Sequence, residues 1–346
     1  MNMSNKEPGY FNYHEQDVKY IKVGTRELFS NPDADEARDC FRQKTRQMVD
    51  KTTTVKEAVA NYIHDGDYFA SGGFGSNRIP AAILHEIVRQ NKKNLGFAGH
   101  TSTHDMQILV AGNCINRCDA AYIVGLEARG LSKISRRAFE SGAVQSTEWS
   151  NATLAWRFKA AAMGLSFLPA RSLLGTETIT HSAAVEIPCP FTGKKYAAVP
   201  ALYPDVAAIH VHSSDVYGNC QVKGIAVSDF DLARAAKKLI ITTEKLIHND
   251  EIRSAPHATV IPYYLVDAVI EVPYGAFPSN MAYEYFTDED HLKAWLEAEK
   301  DEEKFRAFLE ENIYNCRDHY DYLQVNGGLA RLNELRAQEN MTRGNG

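Results

Sequence analysis

From Thr54 onward, apolar positions alternate between helical and extended spacing. Thr54-Val55-Lys56-Glu57 has the form of a capping box, and Val55, Val59 and Ile63 predict a helix behind it. Asp65-Gly66-Asp67 stops that helix. Tyr68-Phe69-Ala70 then reads as a short strand running into Gly72-Gly73-Phe74-Gly75. Pro80 pre-sets the first turn of a helix with Ile83, Leu84, Ile87 and Val88 on one face. The alternation continues with strand 95–99, helix 104–112, strand 120–125, helix 132–141, helix 151–164 and a strand at Phe167-Leu168. A polar stretch, 175–195, broken by Pro188 and Pro190, reads as a loop excursion. Strand 206–211, turn 215–218, helix 229–238 and strands 239–242 and 266–272 complete the body.

This grammar predicts an α/β fold: an open, mostly parallel sheet with helices on both faces. After Ser279 the chain turns acidic and helical, with Leu292, Trp295, Leu296, Phe305, Phe308 and Leu309 spaced as a packing stripe. Residues 1–53 form an N-terminal extension, polar and aromatic by turns, expected to lie over the body or over a neighbouring protomer. The main domain is expected over 54–335, and 336–346 is a C-terminal tail.

A net charge of −6 without a basic block argues against nucleic acid as a partner. The densest basic patch, Arg42 to Lys51 with Lys44 and Arg46, is interrupted by Gln43, Thr45 and Gln47 and reads as a solvated helix face. The six cysteines make no C-x-x-C pair. No apolar h-region opens the chain and no 18-residue apolar run occurs, so no membrane association is expected and a cytoplasmic location is.

Absences narrow the chemistry. There is no phosphate loop, no G-x-S-x-G elbow and no H-E-x-x-H. His100 and His104, like His210 and His212, have a spacing that metal sites use, but packed histidines are the expectation and no metal is assigned. The strongest local signal is Asp65 to Pro80, a strand ending in consecutive glycines before a helix start. Without side chains at Gly72, Gly73 and Gly75, a ligand is expected to reach backbone N–H groups at the carboxyl end of a parallel strand. Such donors would stabilise an oxyanion.

The same segment resembles the signature of the A-type chains of class I coenzyme A-transferases: D-G, two residues, three apolar residues, G-G-F, three residues, G-x-P. Ser71 replaces the third apolar residue, and Arg78 stands where the family usually has glycine. Ser135-Arg136-Arg137 with Phe139-Glu140-Ser141-Gly142, Ala160 to Pro169, Pro204-Asp205-Val206-Ala207, Asp215 to Asn219, Val266 to Val269 and Pro273 to Ser279 extend the likeness over about 54–335. It is nearest to the glutaconate-type branch.

The resemblance implies an enzyme that moves CoA between an acyl-CoA and a carboxylic or dicarboxylic acid, with a CoA thioester as substrate and no permanently bound cofactor. It also implies nucleophilic catalysis by a glutamate in an S-E-N-G-like motif. That motif is absent here, because Glu339-Asn340 is flanked by Gln338 and Met341. The nucleophile would therefore come from a partner B subunit. This chain would supply Gly72, Gly73, Phe74, Gly75, Ser76 and Asn77, with His100, Thr101 and Ser102 after the next strand. Arg129 could bind a substrate carboxylate bidentately. Glu127 and Glu148 are candidate acids or bases, and Asn151 is either a substrate contact or a helix cap. An amide at Asn151 favours transfer. Glu148 keeps open an acyl-CoA hydrolase, a ring-cleaving hydrolase or a decarboxylase on the same fold. A purely ligand-sensing domain is the third reading, disfavoured because no helix-turn-helix precedes the body.

Overall fold

Alternate residues of the central strands enter two different cores. In β2 (Tyr68–Ser71) of the computed structural model, which describes residues 21–123, 125 and 129–343, Tyr68 and Ala70 join one apolar cluster while Phe69 joins the other. The same split runs through β9 (Val206–Ser214) and β11 (Lys238–Leu246): Ala207, Ile209, Leu239 and Ile241 face one side, Val206, Ala208 and Ile240 the other. Strands buried on both faces belong to a parallel sheet covered by helices twice.

β2 pairs in parallel with β9 and with β3 (Leu95–Gly99). β3 continues to β4 (Ile115–Ala120) and β5 (Gln145–Glu148), and β9 to β11 and β13 (Ala268–Glu271), all parallel. Antiparallel β10 (Cys220–Gln221) and β12 (Thr259–Ile261) complete this nine-stranded sheet. One face is covered by α6 (Asn151–Ala162) and α7 (Asp229–Ala235). The other is covered by α2 (Val55–Tyr62), α3 (Ala81–Arg89), α4 (His104–Ala111) and, from the acidic C-terminal region, α9 (Glu289–Ala298) and α10 (Glu302–Leu309). The expected stripe is in the core: Leu292, Trp295, Phe305 and Leu309 are buried. α5 (Lys133–Glu140) and α8 (Asn249–Ser254) link strands. α11 (His319–Val325) and α12 (Gly328–Arg343) enclose a third cluster around Phe277, Tyr285 and Tyr322.

The expected capping box at Thr54 and Glu57 is formed. Three readings are corrected. The strand expected at 120–125 lies at Ile115–Ala120 instead, because β4 carries Asn116, Arg117 and a buried Asp119 whose charge is met by Arg157, Tyr68 and Trp149. β5, Gln-Ser-Thr-Glu at the sheet edge, was hidden by its polarity. The excursion over 175–195 contains β7 (Val185–Pro188) and opens β8 (Lys195–Pro200). With β1 (Ile21–Lys22) and β6 (Phe167–Ala170) they form a separate antiparallel sheet, which needs no continuous apolar run.

Residues 21–50 lie over the body. β1 pairs with β7, and α1 (Ala34–Arg42) buries Ala37 and sets Phe41 against Tyr203, ring centroids 6.3 Å apart.

Candidate active site

The glycine loop leaves the carboxyl end of β2, between the loops that follow β3 and precede α9. Its backbone donors are largely committed within the fold. Gly72 N–H donates to Ala208 O, Gly73 to Asp229 Oδ1, Phe74 to Asn77 O, Gly75 to Thr101 O, Asn77 to Phe74 O and Arg78 to Asn280 O. The donor ledge expected over Gly72 to Gly75 is therefore corrected: among the described residues only the Ser76 N–H of this loop is left available.

What the first two glycines supply is space. A Cβ on Gly72 would meet the Ile209 side chain at 2.9 Å, and one on Gly73, at φ +79°, would meet Asn77 O at 2.4 Å. Gly75 differs, because its Cβ would meet nothing within 4 Å. Gly72, Gly73 and Gly75 are buried, whereas Phe74, Ser76 and Asn77 are partly open. The open edge is thus Ser76 and Asn77, and the buried Gly75 beside them borders free space where a side chain would stand.

Beneath the loop, Arg78 and Asp229 form a fully buried ion pair of 2.6 Å. Arg78 sits at φ +56°, the left-handed region, which explains why glycine suits this position elsewhere. Its guanidinium also donates to Ile225 O at 2.6 Å. Asp229 opens α7, and the sequence reading passed over it as an ordinary helix start; an acid in a first turn was the available signal.

Thr101, at φ +49°, and Ser102 follow β3. Ser102 is buried and donates to Asp105 Oδ1 at 2.7 Å, so it holds the loop instead of facing a ligand. Burial pushes the Asp105 carboxyl above its ordinary range, against the hydrogen bonds from Ser102 and Thr103. His100 is half-buried. The nearby Asn151 backbone and Asp229 favour the charged ring, but burial outweighs both and holds its pKa below the ordinary value. The ring is therefore neutral near pH 7, with Nδ1 lacking a partner. Asn151 is the exposed first residue of α6, and Ser150, not Asn151, caps that helix.

Arg129 approaches the open edge from the loop after β4. Its Nη2 reaches Ser76 Oγ at 3.1 Å, but its fork is occupied by Glu289: Nε to Oε2 at 2.6 Å and Nη2 to Oε1 at 2.5 Å. The carboxylate expected from substrate is thus supplied by the protein, and Glu289 is a neighbour the sequence reading missed. Glu148 ends β5 in an exposed position. Glu127 lies outside the described residues. The structure brings together Gly75, Ser76, Asn77, Arg129 and Glu289 on one side and His100, Asn151 and Asp229 on the other.

The sequence model of the coenzyme A transferase family matches residues 52–272. The chain is 32% identical to the A-type polypeptide of glutaconate CoA-transferase from Acidaminococcus fermentans, over 82% of this chain and 94% of that one. The crystal structure of that transferase superposes with a TM-score of 0.78, covering 83% of this chain and 95% of the other. The A-type polypeptide of 3-oxoadipate CoA-transferase from Pseudomonas knackmussii is 33% identical over 78% of this chain and 95% of its own length. The solved decarboxylase AibA/AibB, at 32% identity, has a TM-score of 0.68 over 75% of this chain and 98% of that one.

Proposed function

The chain belongs to the coenzyme A transferase family, and from that premise we propose that it is the A-type polypeptide of a hetero-oligomeric CoA-transferase working between an acyl-CoA and a carboxylic acid. The observation that carries this reading is that, among the described residues, the carboxylates packed against the loop are already engaged. Asp229 serves Arg78, Asp105 serves Ser102, and Glu289 serves Arg129. Glu339, the residue closest to an S-E-N-G-like context in sequence, accepts the Tyr283 N–H from within α12. A nucleophilic glutamate is thus expected from a partner B chain.

That glutamate would attack the thioester carbonyl, expel CoA as thiolate and leave a mixed anhydride; CoA then attacks the anhydride, releases the first acid and leaves an enzyme thioester. The second acid reverses these steps and leaves as the new acyl-CoA. Oxyanions form at each attack. This chain's part is to place the Ser76 N–H, the Asn77 amide and the neutral His100 beside the acyl group. Arg129, held by Glu289, positions Ser76. The catalytic domain is taken as residues 54–335, with α12 running on to residue 343. The unpaired cysteines support a reducing, cytoplasmic compartment. No described helix is long and apolar enough to cross a membrane.

The test is turnover by the chain alone and co-expressed with its partner, with an acyl-CoA, with and without an acceptor acid. Transfer that needs both partner and acceptor is expected. Robust transfer by the lone chain overturns the reading, and product formed without acceptor points to hydrolysis or decarboxylation.

A further inference from the structure

The basic stretch Arg42 to Lys51 does not form the solvated helix face its composition suggests. α1 ends at Arg42, and the chain beyond it crosses the amino end of the sheet. There the Lys44 side chain is buried, its Nζ 2.8 Å from Leu265 O and 2.9 Å from Asp267 Oδ2. Burial holds the Lys44 amine below its ordinary pKa, although Asp267 pulls the other way.

This crossing walls off a cleft of about 340 Å³, within the range of small-molecule sites. Its floor is apolar: Ala161, Ala162, Ala236 and Leu265. Phe41, Tyr203 and Tyr264 supply aromatic walls. Arg38, Lys44, Arg46 and Arg234 supply the charge, and no carboxylate lines the cleft. Asp35 neutralises Arg38 from outside and Asp267 neutralises Lys44, but Arg46 and Arg234 meet no acid among the described residues. Among the described residues, the Arg234 guanidinium donates one hydrogen bond, to a carbonyl, Phe230 O.

Tyr203, Ala236 and Leu265 shortly precede β9, β11 and β13. The cleft thus lies at the amino ends of three parallel strands, β9, β11 and β13, and β2, which pairs in parallel with β9, carries the glycine loop at its carboxyl end. It is separate from the transferase site. Part of its wall also comes from residues before the family match begins at residue 52. Two guanidiniums without acid partners favour an anionic head, and aromatic rings over an alanine floor favour a flat body.

We propose that this cleft binds a small aromatic anion, a ring carrying one phosphate or one carboxylate. Calorimetric titration of the full chain with AMP and with benzoate tests the two heads; adenosine and inorganic phosphate test ring and head alone. At least one ring-bearing anion is expected to bind one to one with a submillimolar Kd. Its neutral or ringless counterpart should bind at least tenfold more weakly. The Arg46→Ala/Arg234→Ala variant, altered only at exposed side chains, should lose at least tenfold in affinity while keeping its Tm and its transfer activity with the partner. Phe41→Leu should weaken AMP or benzoate without changing the response to phosphate. Failure of both probes, undiminished binding in the double variant, or phosphate binding as tightly as AMP overturns the proposal.

Discussion

Arg78 and Asp229 lie 2.6 Å apart with both side chains shut off from solvent, and the glycine loop rests on them through the Gly73 N–H. Removing one member of such a pair strands the other charge, at a cost of about 3–5 kcal/mol. Asp229→Ala is expected to lose that much in urea unfolding. Arg78→Gly relieves a left-handed backbone but strands Asp229, so it should also destabilise. The Arg78→Gly/Asp229→Ala double variant should be more stable than Asp229→Ala, because neither buried charge is left alone. Additive losses in this cycle would mean that the two residues act independently.

Gly73 and Gly75 separate support from contact within one loop. Gly73→Ala places a Cβ 2.4 Å from a backbone oxygen at a positive φ, so a loss of more than about 2 kcal/mol is expected. Gly75→Ala meets open space and carries only the cost of its φ of +57°, about 1 kcal/mol. If the open edge receives the acyl group, Gly75→Ala should raise KM at least several-fold with a nearly normal urea midpoint. An unchanged KM would remove Gly75 from the site.

The body was legible wherever local spacing and burial agreed. Val55, Val59 and Ile63 or the strand 95–99 needed nothing beyond the chain itself. Legibility failed where a long-range partner set the structure. Asp119 becomes a strand residue because Arg157, Tyr68 and Trp149 meet its charge from elsewhere in the chain. Lys44 turns inward because Asp267 and a carbonyl await it. The candidate site shows the same division. The glycines were visible as a run, but which of their N–H groups were taken depended on Ala208, Asp229 and Thr101. Arg129 was visible as a cation, whereas its occupant Glu289 stands 160 residues away.

Glu289 and Arg129 form a two-point fork at the open edge. Arg129→Lys keeps the charge but loses the planar match to a carboxylate. Because Glu289 is partly exposed, stability should change by no more than about 1 kcal/mol. Ser76, however, loses its Nη2 contact, so kcat/KM with the partner present should fall about tenfold. Glu289→Gln should cause a similar loss if the pair positions Ser76. A gain in affinity for a dicarboxylic acid in that variant would instead show that freed Arg129 binds substrate.

The C-terminal helices dock on the body through buried neutral imidazoles, and this sets an acid limit on stability. His104 on α4 lies edge-on to Trp295 of α9, ring centroids 4.8 Å apart. His291 bonds Asn326 and Tyr322, His319 bonds Tyr274 O, and His85 of α3 meets Tyr322 edge-on at 4.4 Å. Burial lowers all four pKa values: to about 3 for His104, to about 4 for His291 and His319, and well below the ordinary value for His85. The unfolded chain takes up protons on these groups near pH 6.5, whereas the folded chain does so only near pH 3 to 4. Between those limits the unfolded state binds more protons, so stability is complete above about pH 7 and falls as pH drops toward 4. With about 1.4 kcal/mol per proton for each pH unit, several kcal/mol should be lost across this window. The urea midpoint measured from pH 7.5 to 4.5 should decline steadily, and His291→Gln should make that decline shallower. A midpoint unchanged over this range would show that these rings accept protons without leaving their packing.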